Sequence, residues 1–89
     1  MRMAEPRETR LKRLALRASR RGTKEMDLIL MRFADEALRS LDGPALDAFE
    51  RLLEENDQDL YAWITGQAPT PAAHGPMIGR IRDTVAGAT

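Results

Sequence analysis

The most distinctive group of chemically capable side chains lies in the stretch RGTKE, which begins at Arg21. A guanidinium offers a fork of donors to carboxylate or carbonyl oxygens, and a carboxylate such as Glu25 pairs with basic groups. Gly22 between them lets another backbone approach closely, because it has no side chain. Groups of these types can bind other parts of the chain or another molecule, and they include no nucleophile with an adjacent base.

The same stretch has a second interpretation, as the joint between two helices. Arginines in the last turn of a helix complement its negative end, and Gly22 could end that helix in the left-handed conformation. Thr23 could cap the amino end of the next helix, with Glu25 favourably placed in its first turn. On the residues alone the joint between two helices is the favoured interpretation, because loop punctuation of this kind is common.

Other residues with catalytic or metal-binding potential form weak patterns. The chain has no cysteine, which excludes disulfides, thiolate metal sites and cysteine nucleophiles. Its one histidine, His74, is interpreted as a loop residue of the Pro- and Ala-rich linker from Gln67 to Pro76. Glu54 and Glu55 are adjacent and do not face each other on a helix, so we expect a solvated helix end. We predict no metal site and no catalytic centre, and we do not expect an enzyme.

The element that must position the RGTKE stretch is the helix that follows it. Apolar side chains recur there at helical spacing, at Met26, Leu30, Phe33, Ala37 and Leu41. Further apolar residues widen this stripe, and a helix that is apolar on most sides is usually buried on most sides. We therefore predict a central helix with the others packed around it. Any exposed part of the Leu28–Met31 surface would instead be a docking patch.

Four further amphipathic segments predict an all-α fold, a compact five-helix bundle. Their expected bounds are Glu8–Arg20, Pro44–Glu55, Asp59–Thr65 and Pro76–Val85. Asp57 is expected to cap the fourth helix and Gly66 to end it. Trp63, the only tryptophan, is expected to anchor that helix in the core.

Length and composition predict a single helical domain over residues 1–89, with frayed ends at 1–7 and 86–89. Of the 89 residues, 43% are hydrophobic and 31% charged, as in a soluble globular chain. No run approaches the roughly 20 apolar residues of a membrane-spanning helix, and no secretory apolar region is present. We expect a cytoplasmic monomer without membrane insertion.

Charge is distributed unevenly although the net charge is zero. Residues 1–21 contain eight Lys and Arg and two acids, a net charge of +6 that the rest of the chain balances. A basic arm of this kind either contacts an anionic partner or complements the acidic body internally. No aromatic residue interleaves the basic ones for base stacking, so we expect no nucleic-acid partner. An antitoxin-like regulator that binds nucleic acid through this basic first helix is the alternative function.

Two blocks of the sequence resemble the succinate dehydrogenase assembly factor family, which promotes covalent attachment of FAD to the flavoprotein subunit of that enzyme. The first block is Arg21-Gly22-x-x-Glu25 followed by the apolar run of the central helix, and the second is DQDLYAW at residues 57–63. The resemblance covers about Leu11 to Thr84. Departures from the family pattern are Thr23, where many relatives carry methionine, and Ser19-Arg20, where many carry an aromatic residue or histidine.

The resemblance implies a five-helix bundle that binds the flavoprotein subunit and has no cofactor of its own, since the client binds FAD. The covalent step is implied to belong to the client, whose histidine attacks the 8α-methyl carbon of the flavin. The assembly factor would hold that subunit with its reacting groups aligned, which is catalysis by proximity and orientation. Fumarate reductase is a potential second client.

The resemblance also implies a partner-binding surface formed by Arg21, Gly22 and Glu25, with Arg20 and Asp27 beside them. Arg21 would present its fork of donors to the partner, and Gly22 would allow a close backbone approach. Glu25 would either fix Arg21 or pair with a basic group of the partner.

Overall fold

The computed structural model describes residues 5–87, which form five α-helices. They are α1 (Arg7–Ala18), α2 (Lys24–Ala37), α3 (Gly43–Leu52), α4 (Asp57–Thr65) and α5 (Gly75–Ala86). Short 3-10 turns at Leu38–Ser40 and Ala72–His74 connect α2 to α3 and α4 to α5. No strand occurs between residues 5 and 87, so the predicted all-α five-helix fold is confirmed.

The helix bounds differ from the predicted ones by a few residues. The side chain of Asn56 accepts a hydrogen bond from the Asp59 amide at 2.8 Å and is therefore the cap of α4. The prediction that Asp57 is this cap is wrong, because Asp57 is the first residue of the helix. α1 includes Arg7 and α5 includes Ala86, while residues 1–4 and 88–89 of the expected frayed ends lie outside the described residues.

Helix α2 is central, as predicted, and contacts α1, α4 and α5. Thr23 caps it by accepting a hydrogen bond from the Met26 amide. Its inward side chains Met26, Leu30 and Phe33 are fully buried. The ring of Phe33 lies against that of Phe49 from α3, with the ring centroids 5.4 Å apart.

The prediction that α2 is buried on most sides is wrong. Leu28 is 60% exposed and Met31 is 42% exposed. Leu28 lies two residues from both Met26 and Leu30, which places it on the opposite side of a helix with 3.6 residues per turn. The neighbouring helices pack on the side of α2 that carries the buried residues, and of the predicted Leu28–Met31 surface only Leu28 and Met31 are exposed.

The carboxyl end of helix α4 is held by contacts of which the sequence predicts some. Gly66 ends it in the left-handed conformation with φ of 80°, and Trp63 is buried in the core, so both predictions are confirmed. Arg82 of α5 also donates from Nε to the carbonyl oxygen of Trp63 at 3.1 Å. This bond supplements the long hydrogen bond of 3.4 Å that the Gly66 amide donates to the same carbonyl at the helix end.

Three arginines on the basic face of α1 are neutralised within the chain. They pair with acids at one-turn spacing on or just after α3, at 2.6–3.0 Å: Arg10 with Asp47 and Glu50, Arg13 with Glu50, and Arg17 with Glu54. Of the two interpretations of the basic arm, internal complementarity is therefore confirmed. These paired guanidiniums do not form the free cationic face that phosphate binding needs.

Candidate functional site

The candidate site is the corner where the loop before α2 meets the amino end of α4. We call residues 20–27 and 57–61 the motif corner. The carboxylate of Asp57 accepts a hydrogen bond from Nε of Arg21 at 2.7 Å through Oδ1. Its Oδ2 accepts from the amides of Gly22 at 2.7 Å and Thr23 at 2.9 Å. One carboxylate therefore fixes three consecutive residues of the loop.

Arg21 directs its donors into the protein. Its two terminal nitrogens donate to the carbonyl oxygens of Leu53 at 2.7 Å and Glu55 at 2.5 Å. Both carbonyls follow the end of α3, where carbonyl groups lack intrahelical donors. The side chain is only 13% exposed. The fork that was expected to meet a partner thus binds a carboxylate and two carbonyls of the chain itself.

Ionisation of Asp57 is favoured by these contacts. Burial of the carboxylate opposes its charged form, but the hydrogen bond and the charge of Arg21 and the amides of Gly22 and Thr23 outweigh it. The result is a pKa of Asp57 below its ordinary value of 3.8. The carboxylate is therefore an anion over the whole physiological pH range, and the loop stays anchored to α4.

Gly22 is required for space and not for a left-handed backbone. Among residues 5–87, Gly66 alone has a positive φ, so the prediction that Gly22 ends a helix in that conformation is wrong. Helix α1 has already ended at Ala18. A Cβ on Gly22 would lie 3.2 Å from Oδ2 of Asp57. The missing side chain thus lets the Gly22 amide reach the carboxylate.

The two remaining members of the predicted surface behave differently from each other. Asp27 is half-buried, and its Oδ1 accepts from the Arg21 amide at 2.7 Å, so it helps to fix the loop. The side chain of Arg20 is exposed. The structure therefore brings Arg21, Gly22 and Asp27 together as a framework and leaves Arg20 at its edge.

Glu25 and Asp59 are the exposed carboxylates of the motif corner, and of the two only Asp59 accepts a side-chain hydrogen bond within the described residues. Glu25 is exposed in the first turn of α2, and it forms no ion pair or side-chain hydrogen bond with residues 5–87. Of the two roles expected for Glu25, it does not fix Arg21, because Arg21 is held by Asp57 and two carbonyls. The arrangement leaves Glu25 free to pair with a basic group from outside the chain.

An open pocket of about 270 Å³ lies beside Glu25. It is lined by Thr23, Glu25, Asp57, Gln58 and Tyr61. Sequence reasoning missed Gln58 and Tyr61 as site residues. They are spaced three positions apart on α4, which places them on one face of that helix next to Asp57, and this spacing was the available signal.

A second polar cluster, formed by His74 and Glu55, adjoins the motif corner, because the carbonyl oxygen of Glu55 also accepts from Arg21. Nε2 of His74 lies 2.9 Å from Oε2 of Glu55, and its ring stacks on Trp63 with the centroids 5.6 Å apart. The expectation of a simple loop residue is wrong for His74, because the linker folds back in the Ala72–His74 turn. The expected solvated helix end holds for Glu54, whose side chain is 70% exposed, whereas the Glu55 carboxylate is bound by His74.

The motif corner contains groups that can bind a partner. The described residues contain neither a metal-binding cluster nor a helix suited to cross a membrane. Within the described part of the chain, no three histidine or acidic side chains are grouped so as to hold a metal ion. None of the helices between residues 5 and 87 has the length and apolar character needed to cross a bilayer.

Comparison with known proteins shows extensive similarity to one family. A family described as "flavinator of succinate dehydrogenase" matches residues 12–85. "Succinate dehydrogenase assembly factor 2, mitochondrial" of Mycosarcoma maydis is 45% identical over 69 residues, 78% of this chain and 29% of that protein. The protein of the same name from Meyerozyma guilliermondii is 45% identical over 64 residues, 72% of this chain and 47% of that protein.

A bacterial protein is similar over most of its own length. "FAD assembly factor SdhE" of Aliivibrio fischeri is 38% identical over 65 residues, 72% of this chain and 76% of that protein. The chain spans less than half the length of the two fungal relatives.

Proposed function

The chain belongs to the flavinator family of succinate dehydrogenase, and we propose that it binds the flavoprotein subunit of that enzyme and promotes its covalent flavinylation. The observation that carries the proposal is the state of Glu25, an exposed carboxylate without a partner among residues 5–87 and beside an open pocket. It lies on a framework held by Asp57. Such a surface suits recognition of another protein.

Rigidity of the motif corner supports this binding role. Asp57 and Asp27 fix the loop before α2 through four hydrogen bonds, and Arg21 ties it to the end of α3. A surface that is already ordered loses little conformational entropy on binding. More of the binding free energy is therefore available to stabilise the aligned conformation of the client. The chain raises the population of subunits in which the client's histidine and the flavin are aligned.

We assign no catalytic residue and no cofactor to the chain itself, and we propose that FAD stays with the client. Fumarate reductase is proposed as a second client because its flavoprotein would need the same alignment. We further propose a monomer. The cytoplasmic location predicted from the sequence also remains a proposal, since the printed names of the fungal relatives assign those proteins to mitochondria.

Flavin fluorescence tests the proposal directly. Denatured succinate dehydrogenase flavoprotein retains fluorescence in a gel only when its FAD is covalently bound. We expect this signal to fall on deletion of the gene and to return with the wild-type chain and with Asp35→Asn. It should not return with Glu25→Ala. Asp35 is a matched control, because it is another exposed carboxylate on α2 without an ion pair among the described residues. A signal unchanged by deletion would refute the proposed function.

A further inference from the structure

We propose that the pocket beside Glu25 receives a cationic side chain of the flavoprotein, with arginine favoured over lysine. Glu25 is its ion-pair partner, and the ring of Tyr61 is the surface on which it lies. The inference rests on the proposed function, because it names the chemistry by which the same site recognises its client. It adds Tyr61, the aromatic residue at the fifth position of the DQDLYAW block, to the binding residues.

Among the acidic residues of the motif corner, Glu25 is the one whose carboxylate remains available to a group from outside the chain. Asp57 is bound by Arg21 and two amides, and Asp27 by the Arg21 amide. Asp59 accepts a hydrogen bond from the side chain of Asn56 at 3.0 Å. Each of these acids thus has a partner within the chain, and Glu25 has none among residues 5–87.

The helix ends at this corner do not turn the pocket into an anion site. Both α2 and α4 begin here, and the amino end of a helix attracts negative charge. Their first turns already carry four carboxylates, on Glu25, Asp27, Asp57 and Asp59. The same corner has three bases, of which Arg21 pairs with Asp57 while Arg20 and Lys24 are exposed, so the acids exceed the bases by one. A further anion would meet net negative charge, whereas a cation would meet an unpaired carboxylate.

The aromatic wall favours a guanidinium in particular. Tyr61 is 38% exposed and lines the pocket together with Glu25. The face of an aromatic ring attracts cations, and a planar guanidinium stacks on it while binding a carboxylate with two parallel hydrogen bonds. The amide of Gln58 lines the same pocket and can accept a further donor.

Binding of the purified chain to the purified flavoprotein subunit of succinate dehydrogenase, followed by calorimetry, tests the proposal. We expect Glu25→Gln to weaken binding about tenfold, which corresponds to about 1.4 kcal/mol. This difference should shrink in high salt, because screening weakens the lost ion pair. Tyr61→Ala should weaken binding about threefold, and Tyr61→Phe should bind like wild type, since the ring makes the contact. Asp35→Asn is the matched control and should also bind like wild type.

Charge reversal identifies the partner side chain. Glu25→Arg should abolish measurable binding, and one arginine-to-glutamate substitution on the flavoprotein surface should restore it in part. The proposal is overturned if wild type binds but Glu25→Gln binds as tightly as Asp35→Asn, or if no reversal on the flavoprotein restores binding. In either case wild-type binding leaves the proposed function standing. Absence of wild-type binding would overturn the proposed function and this inference with it.

Discussion

Oδ1 of Asp57 lies 2.7 Å from Nε of Arg21, although 36 positions separate the two residues in the chain. Their side chains are 11% and 13% exposed, so the pair lies almost wholly inside the protein. It joins the loop before α2, the end of α3 and the start of α4 into one unit. The arginine of the RGTKE stretch is therefore part of the architecture, and Glu25 is the part of the stretch that remains available.

Loss of the Asp57 carboxylate should destabilise the fold. Asp57→Asn leaves Arg21 without its counter-charge in a nearly buried position, and we expect a loss of about 3 kcal/mol in the free energy of unfolding. Urea denaturation followed by circular dichroism measures it. Glu54→Gln is the control, because the Glu54 carboxylate that pairs with Arg17 is 70% exposed. That change should cost less than about 1 kcal/mol. Equal losses in the two variants would contradict the special role of Asp57.

The free energy of unfolding should fall at acidic pH because the Asp57 carboxylate becomes protonated. Because the pKa of Asp57 is lower in the folded state than its ordinary value of 3.8, the unfolded chain takes up the proton more readily. The stabilisation is complete above that ordinary value and is lost as the pH falls through the lowered folded pKa. Hydrogen bonding from Arg13, opposed by burial and assisted by Arg10, lowers the pKa of Glu50 in the same direction.

Urea denaturation at a series of pH values from about 6 down to 2 checks this dependence. The difference in unfolding free energy between wild type and Asp57→Asn should narrow as the pH falls below 3.8. Asp35→Asn should follow the wild-type profile, since Asp35 is exposed and has no ion pair within residues 5–87. A constant difference between wild type and Asp57→Asn would show that the carboxylate charge does not stabilise the fold.

Substitutions at Arg21 and Glu25 should separate stability from function. Arg21→Lys keeps the charge, but one ammonium cannot reach Asp57 and two carbonyls in the geometry of the fork, so we expect a loss of about 1–2 kcal/mol. Glu25→Gln should leave the unfolding free energy within about 0.5 kcal/mol, because the side chain is exposed. Arg21→Lys should therefore lower the unfolding free energy more than Glu25→Gln does. Glu25→Gln should lower the covalent flavin fluorescence more than Arg21→Lys does. A strongly destabilised Glu25→Gln would mean that Glu25 also belongs to the framework.

The sequence predicted the helices better than the site because helices depend on local patterns. Spacing of apolar residues, the cap at Thr23 and the glycine at position 66 are all local, and the structure contains each of them. The bond between Arg21 and Asp57 joins residues far apart in the chain, and no spacing rule indicates it. Asp57 was therefore interpreted as a helix cap, although its carboxylate fixes the loop before α2.

The exposed face of α2 was mispredicted for a related reason. Periodicity shows which residues of a helix are apolar, but it does not show how many neighbouring helices cover them. Tyr61 belongs to the DQDLYAW block but was not predicted as a binding residue, because that role depends on Glu25 across a pocket between two helices. Both errors concern tertiary arrangement: local spacing places Gln58 and Tyr61 on one face of α4, but it does not show that Glu25 lies beside that face.

Alanine at two glycines should change stability in opposite directions. Gly22→Ala introduces a Cβ at 3.2 Å from Oδ2 of Asp57, an oxygen that two amides hold in place, so we expect a loss of about 1 kcal/mol. Gly79 lies inside α5, and a Cβ there meets nothing within 4 Å. Gly79→Ala should therefore stabilise the protein by about 0.5–1 kcal/mol through the better helix propensity of alanine. Thermal denaturation of both variants checks the prediction, and a stabilising Gly22→Ala would contradict the close packing at Asp57.

Two leucines of α2 should differ sharply in their contribution to stability. Leu30 is fully buried between α2 and its neighbours, so Leu30→Ala leaves a cavity and should cost about 2–5 kcal/mol of unfolding free energy. Leu28→Ala should change it by less than about 0.5 kcal/mol, because that side chain is 60% exposed. The chemistry of the two substitutions is identical, so urea denaturation of the pair compares burial alone. A large loss in Leu28→Ala would show that the outer face of α2 is covered in solution, as self-association would cover it, and sedimentation of the wild-type chain would then have to reveal a species larger than the monomer.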